Sequence, residues 1–189
     1  MQELQDEVII QQVLQGDKKA YAVLIGRYQH FVFTFIKRLT NNHEDAEELT
    51  QDVFIKAYHS LSSYNNTAKF STWLYSIARN TTLSHMRKHK ITTTSEEELK
   101  INDHSTQTDI DRKNKTIIIN TAINQLEPSD AQVLTLFYLN EQTIDEIAHI
   151  LDITKTNVKV KLYRSRKKLK EILDKSYRHE FEEYQKSGK

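Results

Sequence analysis

The chain has 189 residues, 38% hydrophobic and 28% charged, and its 27 basic and 26 acidic side chains leave a net charge of only +1. It contains three Gly, one Pro and no Cys, which leaves little room for turns and hairpins and excludes disulfides, thiolate metal sites and Cys nucleophiles. These numbers predict an all-α chain of short-linked helices around modest cores, in one domain or two small ones.

The opening stretch, MQELQDEVII, is acidic and lacks the basic-then-apolar pattern of a signal peptide. No apolar run approaches the roughly 20 residues that a membrane span needs. A cytoplasmic protein is expected. In DEVIIQQVLQG, apolar residues at Val8, Ile9, Val13 and Leu14 predict a first helix, with Gly16 as its stop. Tyr21, Leu24, Tyr28, Phe31, Phe35 and Leu39 then recur three or four apart and predict a second. Asn41 or Asn42 can cap a third, HEDAEELTQD, whose five acids suit the positive end of a helix dipole. After the loop SSYNNTAK comes a fourth helix with Phe70, Trp73, Leu74, Ile77 and Ala78 on one face. Four helices therefore fill residues 1–90.

Residues 91–114 have no apolar periodicity and carry six acids against three bases, the composition of a flexible linker, with a short helix near Glu96 to Ile101 left open. A second unit is expected over 115–175, followed by a tail, 176–189. Within that unit TIIINTAINQL forms a helix and Pro128 suits the first position of the next. Thr143 and Glu146 form the pair of a capping box, and Asp152 stands where a left-handed turn residue is wanted. A helix, a short turn and a second, basic helix make a helix–turn–helix.

The second helix of that motif, in TKTNVKVKLYRSRKKLKEIL, is the most informative segment of the chain. Lys155 to Lys170 holds eight bases and no acid. A helix that is merely solvated usually mixes signs, because oppositely charged pairs four apart stabilise it. Val158, Leu162, Ser165, Leu169 and Ile172 form an inward stripe, and Asn157, Val160, Lys161, Tyr163, Arg164, Lys167 and Lys168 fall on the other side. An outward valine and tyrosine among cations suit the major groove of DNA, where a methyl can meet a thymine methyl and a hydroxyl a phosphate or base edge. Helix-end electrostatics explains Lys167, Lys168 and Lys170 equally well, so RKKLK is expected at phosphates and the helix terminus. His85 and His89, four apart, are the one foothold for a metal enzyme, but no intervening Glu or third ligand accompanies them. No metal, cofactor or catalytic residue is expected.

These motifs, in this order, resemble a known family. QLEPSDAQVLTLFYLNEQTIDEIAHILDITKTNVKVKLYRSRKKL resembles region 4 of bacterial RNA polymerase sigma factors. DAEELTQDVFIKAYHSL resembles their region 2.2, and FSTWLYSIARNTTLSHMRK their regions 2.3 and 2.4. Two units with no third between them look like the extracytoplasmic-function (ECF) type. The resemblance implies a transcription initiation factor, not an enzyme, that binds core polymerase at the clamp helices and flap and directs it to promoter DNA. It implies polymerase docking by Asp45, Glu48, Leu49, Gln51, Asp52 and Phe54, of which Leu49 and much of Phe54, with Val53, also read as a core stripe. Contacts to the −10 element fall on Tyr64, Asn65, Asn66, Lys69, Asn80, Ser84 and Arg87, with Trp73 assigned to the core. Contacts to the −35 element fall on Lys159, Val160, Lys161, Tyr163, Arg164 and Lys167, with Lys155, Thr156 and Asn157 near phosphates. Three departures stand out: Ser84 where an acid is common, Thr156-Asn157 where Gly-Thr usually opens the helix, and Val160 where Ser is common. They put base specificity in doubt more than backbone contact. An anti-sigma protein is the regulator that the resemblance implies.

Overall fold

In a computed structural model of the chain, residues 4–92 and 112–176 are described, apart from the side chains at 89–92, 112–116 and 176. Most of the expected linker, the short helix considered near Glu96, the tail from residue 177 and the His89 side chain lie outside the described residues. The described elements are helical: α1 (Asp6–Leu14), α2 (Lys18–Thr40), α3 (His43–Ser60), α4 (Phe70–Thr92), α5 (Arg112–Asn124), α6 (Pro128–Leu134), α7 (Ile144–Leu151) and α8 (Lys155–Ser176). A short 3-10 turn, Leu61–Ser63, follows α3, and a wide π turn, Thr135–Leu139, follows α6.

The helix ends follow from local chemistry. Gly16 takes a φ of 104° between α1 and α2, and the Asp17 carboxylate then accepts from the Lys19 and Ala20 amides to start α2. Asn41 and Asn42 divide the capping work. Asn41 closes α2 in the left-handed region, while the Asn42 side chain accepts from Glu44 and Asp45 at the start of α3. Pro128 occupies the first turn of α6, where its missing N–H is no loss. Thr143 and Glu146 make the reciprocal capping box, and Asp152 ends α7 with φ 50°. Thr154 then caps α8 by accepting from the Asn157 amide at 3.2 Å.

Helices α1 to α4 pack around Leu24, Val32, Phe35, Ile36, Leu49, Val53, Leu61, Phe70 and Leu74, and α5 to α8 around Ile123, Leu134, Leu136, Ile147, Ile150, Val158 and Leu162. Two expected stripes shift. On α1 the buried residues are Ile9, Ile10 and Val13, while Val8 and Leu14 are exposed. Phe31 on α2 is exposed as well. In both helices more apolar residues compete than one packed face can hold, so some turn outward. The core continues from the first four helices into the second four, and α2 and α4 lie against α6 and α7.

Candidate nucleic-acid and polymerase interfaces

Helix α8 is oriented by its inward stripe. Val158, Leu162 and Ser165 are buried, with Leu169 and Ile172 half-buried. One polar anchor supplements them: Asp130 of α6, itself buried, accepts from Ser165 Oγ at 2.8 Å and Lys168 Nζ at 2.5 Å. Burial works against the Asp130 charge, but these two hydrogen bonds and the Lys168 and Lys161 charges outweigh it and hold the carboxyl below the ordinary carboxylate range. Arg166, one residue beyond Ser165, lies 5.6 Å from the ring centres of both Phe137 and Tyr138 in the π turn. The expectation of phosphates and the helix terminus for RKKLK is therefore corrected for two members. Arg166 and Lys168 hold α8 to its own domain, because one turn of helix brings them back over α6 and the π turn.

The outward side of α8 is free of such ties. Lys159, Arg164 and Lys167 are exposed, Lys161 is half-buried, and none of them is ion-paired with a described residue. Val160 and Tyr163 stand among them, 41% and 71% exposed. Thr156 and Asn157 are exposed at the helix start, and Lys155 is paired at 2.8 Å with Asp145, so part of its charge is already met. Cations held on a rigid helix, interleaved with an apolar methyl and a phenol, can meet phosphates and base edges together.

The residues expected at the −10 element divide into three groups. Asn80, Ser84 and Arg87 are exposed at spacings of four and three, hence on one face of α4. Tyr64 and Asn65 are instead occupied in shaping the loop. The Tyr64 ring packs against Phe70 and Trp73, with ring centres 5.7 and 5.4 Å away, and its hydroxyl donates to the Ala68 carbonyl at 2.8 Å. Asn65 Oδ1 accepts from the amide and hydroxyl of Thr67, and Asn66 is exposed in the left-handed region. For Tyr64 and Asn65, turn geometry accounts for the side chains, which removes their hydrogen-bonding groups from easy reach of a base. Trp73 is half-buried in that aromatic cluster. Lys69 forms the third group: its ammonium is paired at 3.0 Å with Glu146 of α7.

On α3 the expected docking set is split by burial. Glu48 and Gln51 are exposed and Asp45 and Asp52 half-buried. Leu49 and Phe54, 2% and 6% exposed, take the core alternative rather than docking, since no partner can reach them without opening the bundle. Ile55, which the sequence reading passed over, is 55% exposed one turn beyond Gln51 and beside Asp52. Only burial distinguishes it from its neighbours Val53 and Phe54.

The profile for Sigma-70 region 2 matches residues 24–91, and that for Sigma-70, region 4 matches residues 116–169. The ECF RNA polymerase sigma factor SigW of Bacillus subtilis is 30% identical over 176 residues, spanning 87% of this chain and 94% of its own. The chain belongs to the sigma-70 family, in its ECF group. The RNA polymerase sigma-H factor of Pseudomonas aeruginosa is 28% identical over 89% of this chain and 94% of its own. Among solved structures, the sigma factor RpoE in complex with the anti-sigma factor NepR from Bartonella quintana has the same fold. It gives a TM-score of 0.70 at 22% identity, over 82% of this chain and 98% of that one. CnrH in complex with the cytosolic domain of CnrY gives a TM-score of 0.65 at 19% identity, over 90% and 98%. As an ECF sigma factor the chain is a promoter-specific transcription initiation factor that works with core RNA polymerase on promoter DNA. Among the described residues no helix is long and apolar enough to cross a membrane.

Proposed function

We propose that the two halves of this sigma factor divide promoter reading between them. Helix α8 enters the major groove of the −35 element: Lys159, Lys161, Arg164 and Lys167 meet phosphates or guanine edges, and Val160 and Tyr163 supply the contacts that discriminate sequence. The observation that carries this reading is the exposure of Val160 and Tyr163 among unpaired cations, an arrangement that water alone does not favour. The −10 element falls to Asn66, Lys69, Asn80, Ser84 and Arg87, where amide, hydroxyl and guanidinium groups can bond the edges of unstacked bases as the duplex opens. Docking on the clamp helices of core polymerase is assigned to Asp45, Glu48, Gln51, Asp52 and Ile55. There an apolar contact ringed by acids has the composition of a specific, transient interface.

The bounds of this division are residues 1–90 for the first unit and 115–175 for the second, with the cytoplasm as the site of work. RpoE and CnrH are seen bound to NepR and CnrY, and by analogy an anti-sigma protein is the expected regulator here. Transcription in vitro with purified core polymerase and a pooled promoter library tests the proposal. Transcripts that depend on the chain and share −35 and −10 elements are expected. If the free chain instead binds one duplex tightly and adds nothing to core polymerase, it is a stand-alone regulator and the proposal fails.

A further inference from the structure

Two bases of α8 are ion-paired among the described residues, and the two pairs differ in kind. Lys155 meets Asp145 at 2.8 Å, but both side chains are well exposed, so Lys155 can exchange that carboxylate for a phosphate at little cost. Lys168 meets Asp130 at 2.5 Å, and there only the lysine is open to water. The Asp130 carboxylate is buried on α6, with its other oxygen accepting from Ser165 Oγ at 2.8 Å, and Ser165 has no exposed surface at all. Lys168 cannot leave without stranding a buried charge, which is far more costly than opening a surface pair. Asp130 therefore does two things at once. Through Ser165 it fixes the roll of α8 on α6, and through Lys168 it removes one cation from circulation.

The position of that cation makes its removal consequential. Four residues turn an α-helix by about 400°, so Lys168 stands only ~40° around from Arg164 and ~6 Å further along the axis. It borders the face assigned to the −35 element. Arg166, the other base that is turned inward, is on the far border, over Phe137 and Tyr138. The hydrogen bond and charge of Asp130 raise the Lys168 pKa, Glu127 assists, and Arg164 opposes, as a like charge on the same flank must. A recognition helix reads base edges chiefly with its N-terminal residues. Lys168 lies about 20 Å beyond the start of α8, further than the ~12 Å width of the major groove, so its ammonium, if freed, has only phosphates to meet.

We propose that Asp130 is a positioning residue that also sets specificity in −35 recognition: it locks α8 to α6 through Ser165 and withholds Lys168 from the DNA backbone. This role rests on α8 being the −35 helix. A phosphate contact by Lys168 would add attraction for every sequence alike and steepen the dependence of log affinity on log salt by about 0.9. A complex on the wrong sequence gains most from it, because no base contacts fix its register and any phosphate within reach will serve. Holding Lys168 back leaves discrimination to Val160 and Tyr163.

The test is a double-mutant cycle on holoenzyme, with a promoter fragment selected from the pooled library and the same fragment with its −35 element scrambled. Lys168→Gln alone should change the salt slope by less than about 0.3, because the lysine it removes makes no phosphate contact. Asp130→Asn should steepen the slope by about 0.9 on both fragments and tighten binding to the scrambled one about threefold or more, narrowing the preference between them. Adding Lys168→Gln to Asp130→Asn should restore the original slope. Were Asp130 only structural, Asp130→Asn would weaken both complexes without steepening either slope, and that result overturns the proposal. So does Lys168→Gln flattening the slope equally in both backgrounds. Lys168→Gln alters an exposed side chain, so a flattening by that single variant is decisive even if Asp130→Asn fails to fold. Lys159→Ala is the control: if it flattens the slope while the cycle is additive, only the role of Asp130 falls. If Lys159→Ala leaves the slope unchanged, α8 is not the −35 helix and both fall.

Discussion

Leu162 and Tyr163 are neighbours on α8 with opposite duties, and their separate truncation tests how the helix is used. Leu162 is 2% exposed and Tyr163 71%. Leu162→Ala deletes three buried carbon groups, about 2.4 kcal/mol of transfer free energy at ~0.8 kcal/mol each. The cavity left beside Val158, Ile147 and Ile150 brings the expected loss to about 2.5–4 kcal/mol. That is a large share of the 5–15 kcal/mol typical of a folded domain. Tyr163→Ala removes a side chain that water already reaches, so stability should stay within about 0.5 kcal/mol. Urea unfolding followed by circular dichroism measures both. Holoenzyme binding to a fluorescent promoter fragment then separates them: Tyr163→Ala should weaken binding about tenfold while its melt is unchanged. Equal destabilisation by the two truncations, or undiminished promoter binding by Tyr163→Ala, would refute the assignment of inward and outward faces.

Three further outcomes are expected. Lys159→Ala and Arg164→Ala should each weaken promoter binding across sequences and reduce the slope of log affinity against log salt by about one, measured by a salt titration of holoenzyme. Thr143→Ala removes the capping box of α7 and should cost about 1 kcal/mol in urea unfolding, with Thr143→Ser recovering most of it. Acid should loosen the second half: burial disfavours the charges of Asp130 and Glu146, but hydrogen bonds from Lys168 and Ser165, and from Thr143 and Lys69, leave both carboxyls below their ordinary values. A carboxyl lowered on folding stabilises above its unfolded pKa of about 4 and stops doing so as pH falls through the lower, folded value. Stability measured from pH 6 down to pH 2 should therefore fall below about pH 4, and less steeply in Asp130→Asn.

The capping box, the left-handed Asp152, the proline at the start of α6 and the inward stripe of α8 were all legible, because each depends on neighbours a few positions away. The expected surface sets were less legible. Leu49 and Phe54 share a helix with Gln51 and Asp52, and an apolar residue beside a polar docking face can lie on either side of the boundary. Ile55 shows the converse, an apolar residue of the same helix that stands in solvent. Tyr64 and Asn65 carry the right groups for bases, yet the loop uses those groups on itself.

Helix order, the two-unit division and the charge partition were written in the linear chain, since periodicity, caps and runs of bases are local properties that survive without knowledge of what packs where. Which cations remain available was decided only in three dimensions. Lys168 meets Asp130, 38 positions away in sequence, and Lys69 meets Glu146 across the two halves. Arg38 finds Asn120, Asn124 and Thr135 more than 80 residues on. A side chain's partners over such separations depend on how the helices pack, and packing is a sum over many apolar contacts that no single stretch of sequence contains.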